Sequence, residues 1–91
     1  MNSNNQPAIV DVRTAEEFEG MHVPGAINIP LDEIPGRIDE FARMSRPIIA
    51  YCRSGNRSAM AAAILKQNGI KEVENGGGLD DMLERLIKTE L

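Results

Sequence analysis

The strongest constraint in this sequence is the way two hydrophobic patterns alternate along it. Ala8-Ile9-Val10-Asp11-Val12, Ala26-Ile27-Asn28-Ile29 and Pro47-Ile48-Ile49-Ala50-Tyr51 are short apolar runs of strand length, rich in β-branched residues, and Glu72-Val73-Glu74 is a shorter fourth. Helical signals follow each of them. Thr14-Ala15-Glu16-Glu17 has the spacing of a capping box, and the short helix it opens stops at Gly20. Ile34, Ile38 and Phe41 share one helical face behind Pro35. An alanine-rich helix is expected from about Ser58 to Asn68, closed by Gly69. Asn75-Gly76-Gly77-Gly78 reads as a turn before a last helix striped by Leu79, Met82, Leu83, Leu86 and Ile87. Strand and helix in alternation call for an α/β, three-layer domain: a reduced parallel sheet of about four strands, flanked by helices. Right-handed crossovers, with the switch point between the first and third strands, predict the spatial order 4-3-1-2. Ligands of such sheets lie beyond the carboxyl ends of the strands. Arg13 and Cys52 both stand there.

Ninety-one residues suffice for one domain, expected over residues 8–91 behind a polar lead-in over residues 1–7. The lead-in has neither a basic nor an apolar signal-peptide region, which points to the cytoplasm; removal of a leader upstream would instead place the chain in the periplasm. Its longest apolar run, Met60 to Leu65, is too short to span a membrane. One cysteine excludes an internal disulfide, and with one histidine it excludes a closed Cys/His zinc site. No metal and no cofactor are expected. The net charge of −4 argues against nucleic acid. That charge is unevenly spread: Arg43, Arg46, Arg53, Arg57, Lys66 and Lys71 occupy a stretch without a single acid, and Cys52 lies within it. A basic run is commonly just a solvated face. A thiol in its middle favours an anion site.

Cys52-Arg53-Ser54-Gly55-Asn56-Arg57-Ser58 leads from a strand end to a helix start. Such a loop can curl its N–H groups around one point, and the following helix adds the positive end of its dipole. Gly55 admits a positive φ. A thiol there, beside Arg53 and Arg57, is expected to ionise below its usual pKa. A lone cysteine at a strand end is more often an inert small hydrophobe, but two arginines are poor neighbours for one.

Three segments together, Asp11-Val12-Arg13, His22 to Pro30 and Cys52 to Ser58, resemble the single-domain rhodaneses, over roughly residues 8 to 83. Val73-Glu74-Asn75 with Gly76-Gly77-Gly78-Leu79 is similar to one subgroup of these small proteins. Rhodaneses usually begin with an additional helix and strand, which is why the sheet here is expected to be reduced. The resemblance implies a thiosulfate sulfurtransferase in which Cys52 is the nucleophile and carries a persulfide. A thiol or cyanide then accepts the sulfur. It also implies that Arg53, Ser54, Gly55, Asn56, Arg57 and Ser58 bind the anion, that Asp11 pairs with Arg57, and that Arg13 supports the site. A monomer or weak homodimer is expected, with no nucleic-acid or membrane partner.

Two other readings compete. One is a non-catalytic rhodanese-like sulfur-carrier or interaction module; some such modules lack the cysteine, whereas Cys52 and both loop arginines are present here. A cysteine phosphatase or arsenate reductase would use the same thiolate-in-a-nest chemistry, but the phosphatase loop has five residues between cysteine and arginine, and Cys52 and Arg57 enclose four. The shorter ring suits one sulfur atom better than a phosphoryl group. His22 is expected to shape a turn rather than act as a base, and Ser58 to cap the alanine-rich helix. Asp80 and Asp81 complement the dipole of the last helix.

Overall fold

The structure, a computed structural model, describes residues 6–90. Most of the expected lead-in therefore lies outside the described residues. The elements run β1 (Ala8–Asp11), α1 (Ala15–Gly20), β2 (Ile27–Asn28), a 3-10 segment (Leu31–Arg37) continuing into α2 (Ile38–Ala42), β3 (Ile48–Cys52), α3 (Asn56–Gln67), β4 (Val73–Gly78) and α4 (Leu79–Glu90). The four strands form one parallel sheet in the order β2-β1-β3-β4, the order expected from right-handed crossovers with the switch point between β1 and β3.

β3 is one of the two inner strands, beside β1, and all five of its residues are buried. Its alternation divides the core. Ile48, Ala50 and Cys52 face one side, packed with Phe41, Ala61 and Leu65 from α2 and α3. Ile49 and Tyr51 face the other, against Met82 and the flanking Leu79, Leu83 and Leu86 of α4. Each fully buried Ile, Leu or Phe of these layers contributes about 1.5–3 kcal/mol of transfer free energy. The Cys52 side chain thus belongs to the α3 layer, at the carboxyl end of the sheet.

Two elements depart from the expected boundaries. α3 starts at Asn56, so its N-cap is Gly55, at φ 97°, and Ser58 lies within the first turn rather than capping it. The left-handed turn at Gly55 brings the chain into helical geometry two residues early. Asn75-Gly76-Gly77-Gly78 is part of β4, not a turn. A bulge there shifts the register, so that Ala50 pairs with Asn75 but Tyr51 with Gly77 and Cys52 with Gly78. Asn75 consequently shares the face of Ala50, toward α3.

Candidate active site

Cys52 ends β3 with 1% of its surface exposed, beneath the loop rather than on the floor of an open cleft. The Gly55 N–H donates to its Sγ at 3.0 Å, and Ser58 Oγ lies 3.4 Å away. Burial pushes the thiol up and is the largest single influence. Hydrogen bonds from the Ser58 hydroxyl and the N–H groups of Ser58, Ser54 and Gly55 outweigh it and hold Cys52 below its ordinary value. The lowering comes from the Ser58 hydroxyl and the amide nest together, and the positive charge of Arg57 acts in the same direction. Arg53 and Asn56 are exposed at the rim.

The expected Asp11–Arg57 pair is absent, because both residues have closer partners. Asp11, fully buried, grips Arg13: Arg13 Nε and Nη2 donate to the two carboxylate oxygens at 2.6–3.1 Å, and its backbone N–H adds a bond at 2.9 Å. Arg13 Nη2 also donates to the Met21 carbonyl at 2.6 Å, and its guanidinium sits over the Tyr51 ring at 5.7 Å. Burial pushes the Tyr51 hydroxyl up to about 12, and the hydroxyl accepts the Val23 N–H at 3.0 Å. Asp11 and Arg13 therefore tie the turn after α1 to the sheet. His22 is stacked on Phe18 with ring centroids 3.7 Å apart and Nδ1 within 2.7 Å of the Phe18 carbonyl.

Arg57 pairs with Glu17 of α1, Nη1 to Oε1 at 2.8 Å and Nη2 to Oε2 at 3.1 Å. Glu17 Oε1 also accepts the Thr14 N–H at 3.0 Å, completing the capping box. The guanidinium and the Thr14 amide together lower the Glu17 carboxyl to about 2. The pair fixes Arg57 on the wall of a groove of about 440 Å³, shared with Val12, Thr14, Pro30, Leu31 and Ile64.

Three contributors went unread in the sequence. Glu17 was hidden because the capping box already accounted for it. Asn75 was hidden inside an apparent turn; its Oδ1 accepts from Ser58 Oγ at 2.6 Å and from the Gly77 N–H at 3.0 Å, while its Nδ2 donates to the Gly55 carbonyl at 3.0 Å. Gly78 lies directly against the loop, where a Cβ would collide with the Arg53 carbonyl oxygen. Among the described residues, no group of three or more His, Cys, Asp or Glu side chains could hold a metal ion, and no helix is long and apolar enough to cross a membrane.

The rhodanese-like domain family matches residues 1–82. The chain is 40% identical over 80 residues to thiosulfate sulfurtransferase PspE of Escherichia coli strain K12, covering 87% of this chain and 77% of that protein. It is 40% identical over 67 residues to a sulfurtransferase of Allochromatium vinosum, covering 74% of this chain and 62% of the relative, which is thus the longer protein. A solved structure described as a rhodanese with anions from E. coli superposes with a TM-score of 0.76 at 40% identity, over 84% of this chain and 91% of the other.

Proposed function

The chain belongs to the rhodanese-like domain family, and from that premise we propose that it transfers a sulfane sulfur from thiosulfate to cyanide or a thiol through a persulfide on Cys52. The observation that carries the proposal is a thiol at a strand's carboxyl end whose ionisation is favoured by inward-facing N–H groups.

The reaction makes a demand that this site meets. An anionic thiolate must approach the outer sulfur of a dianion. The S–S bond of thiosulfate breaks, its electron pair leaves with sulfite, and a persulfide anion remains on Cys52. Three negative charges gather without a proton to offset them. The N–H groups of Ser54, Gly55 and Ser58, the N-terminus of α3, and Arg57 supply the compensating positive potential. Arg53, exposed at the rim, steers the incoming anion. In the second half-reaction cyanide attacks the terminal sulfur, thiocyanate departs, and the Cys52 thiolate returns to the same hydrogen bonds. Thiocyanate formation from thiosulfate and cyanide tests this. Wild type is expected to turn over and Cys52→Ser to be inactive, because a hydroxyl ionises far above a thiol. Equal rates in both would overturn the assignment.

A further inference from the structure

The Ser58 hydroxyl has a single proton and two neighbours that want it. Ser58 is fully buried in the first turn of α3, 2.6 Å from Asn75 Oδ1 and 3.4 Å from Cys52 Sγ. The orientation of the Asn75 amide is fixed by two backbone groups. Its Oδ1 receives the Gly77 N–H and its Nδ2 faces the Gly55 carbonyl. Exchanging the two ends would set donor against donor at Gly77 and acceptor against acceptor at Gly55. Oδ1 can therefore only accept, and the short contact to Ser58 requires that the hydroxyl proton point at Asn75. That leaves Ser58 lone pairs toward Sγ. They can accept from a Cys52 thiol, but they repel a thiolate. For the Ser58 hydroxyl to favour the thiolate, it must turn from Asn75 to sulfur when Cys52 loses its proton to solvent, leaving Asn75 Oδ1 with only the Gly77 N–H.

We propose that Asn75 is a positioning residue that competes with Cys52 for the Ser58 proton and so sets how readily the reactive sulfur becomes, and stays, an anion. The proposal rests on Cys52 being the reacting thiol. Its readout is alkylation without thiosulfate, so its failure is distinct from failure of sulfur transfer.

The charged groups on the elements around the loop are Arg57 of α3 with its partner Glu17 of α1, Arg53 of the loop itself, Asp81 of α4 behind Gly78, and the Asp11–Arg13 pair beyond Tyr51. All are unchanged in a double-mutant cycle on Ser58 and Asn75, so their influence on the thiol cancels. The thiol pKa is read from the pH dependence of iodoacetamide labelling in four proteins: wild type, Ser58→Ala, Asn75→Ala and the double variant. In the wild-type background the proton must first be drawn from Asn75, so Ser58→Ala is expected to raise the pKa by about 0.5 unit. In the Asn75→Ala background Ser58 donates to sulfur unopposed, and the same change is expected to raise it by about 1 unit or more. Loss of the Gly55 brace is common to both Asn75→Ala proteins and drops out of the comparison. Equal shifts in the two backgrounds would overturn the proposal and leave Asn75 as a brace alone. A measurement on the unaltered chain stands independently of whether the variants fold. The Asn75 side-chain amide nitrogen resonance of the wild-type protein is expected to titrate with the Cys52 pKa. A resonance insensitive to Cys52 ionisation would contradict the swing.

Discussion

At the scale of single residues, two acid–arginine pairs have separate duties, and substitutions can tell them apart. Asp11 is buried and spends both carboxylate oxygens on Arg13, whose side chain is 7% exposed. Asp11→Ala would strand a guanidinium in the core, and a loss of about 3–5 kcal/mol in chemical denaturation is expected. The folded fraction should still transfer sulfur, because Arg57 answers to Glu17. Arg57→Ala is expected to do the reverse. Its partner is about one-third exposed, so stability changes by no more than about 1 kcal/mol, while kcat/KM for thiosulfate falls about 10²-fold with the loss of one stabilising charge. An Asp11→Ala protein with native stability, or with activity lost in proportion to Arg57→Ala, would contradict this division. Asp-Val-Arg was legible in the sequence as a motif, but not the partner of its aspartate. The Asp11 and Arg13 side chains lie two residues apart on the chain, and the local contact wins over one across the sheet.

At the scale of elements, the cysteine loop is shaped as much by β4 as by its own residues. The expected turn at Asn75 to Gly78 was read from composition: a run of glycines after a polar residue signals a turn wherever nothing pairs with it. Here β3 pairs with it, and the bulge at Gly76 lets the strand continue to Gly78 beneath the loop. A glycine is required there because the Arg53 carbonyl occupies the space of a side chain. Gly78→Ala is expected to cost about 1–3 kcal/mol as the loop backbone is pushed outward. Its second effect is more specific. As Ser54 and Gly55 retreat from Sγ, the thiol pKa should rise toward its ordinary value, seen as slower alkylation near neutral pH. Native alkylation in a destabilised Gly78→Ala protein would show that the nest does not depend on β4. The start of α3 was misjudged for a related reason. Ser58 has the side chain of a cap, but Gly55 has the backbone, and the hydroxyl went to Asn75 instead.

At the scale of the whole molecule, the sheet order and the position of Cys52 were legible because alternation and crossover handedness admit few alternatives. Side-chain partners brought together by three different elements were not, since no periodicity records them. One such contact joins α1 to α3 and gives the molecule an acid-sensitive tie. The Glu17 carboxyl is lowered from its ordinary 4.5 to about 2 in the fold. A depressed acid contributes stability that is complete above pH 4.5 and lost as pH falls toward about 2. The pair is about one-third exposed, so its contribution is no more than about 1 kcal/mol after solvent screening. Glu17→Gln should therefore melt slightly lower than wild type at pH 7 and converge with it near pH 2. A constant gap at every pH would deny the tie. The central claim, that the fold exists to hold sulfur on Cys52, is tested most directly by the mass of the intact protein after incubation with thiosulfate and no acceptor. The expected result is a gain of one sulfur atom, removed by cyanide and absent in Cys52→Ser. An unchanged mass in the wild-type protein, or the same gain in Cys52→Ser, would contradict it.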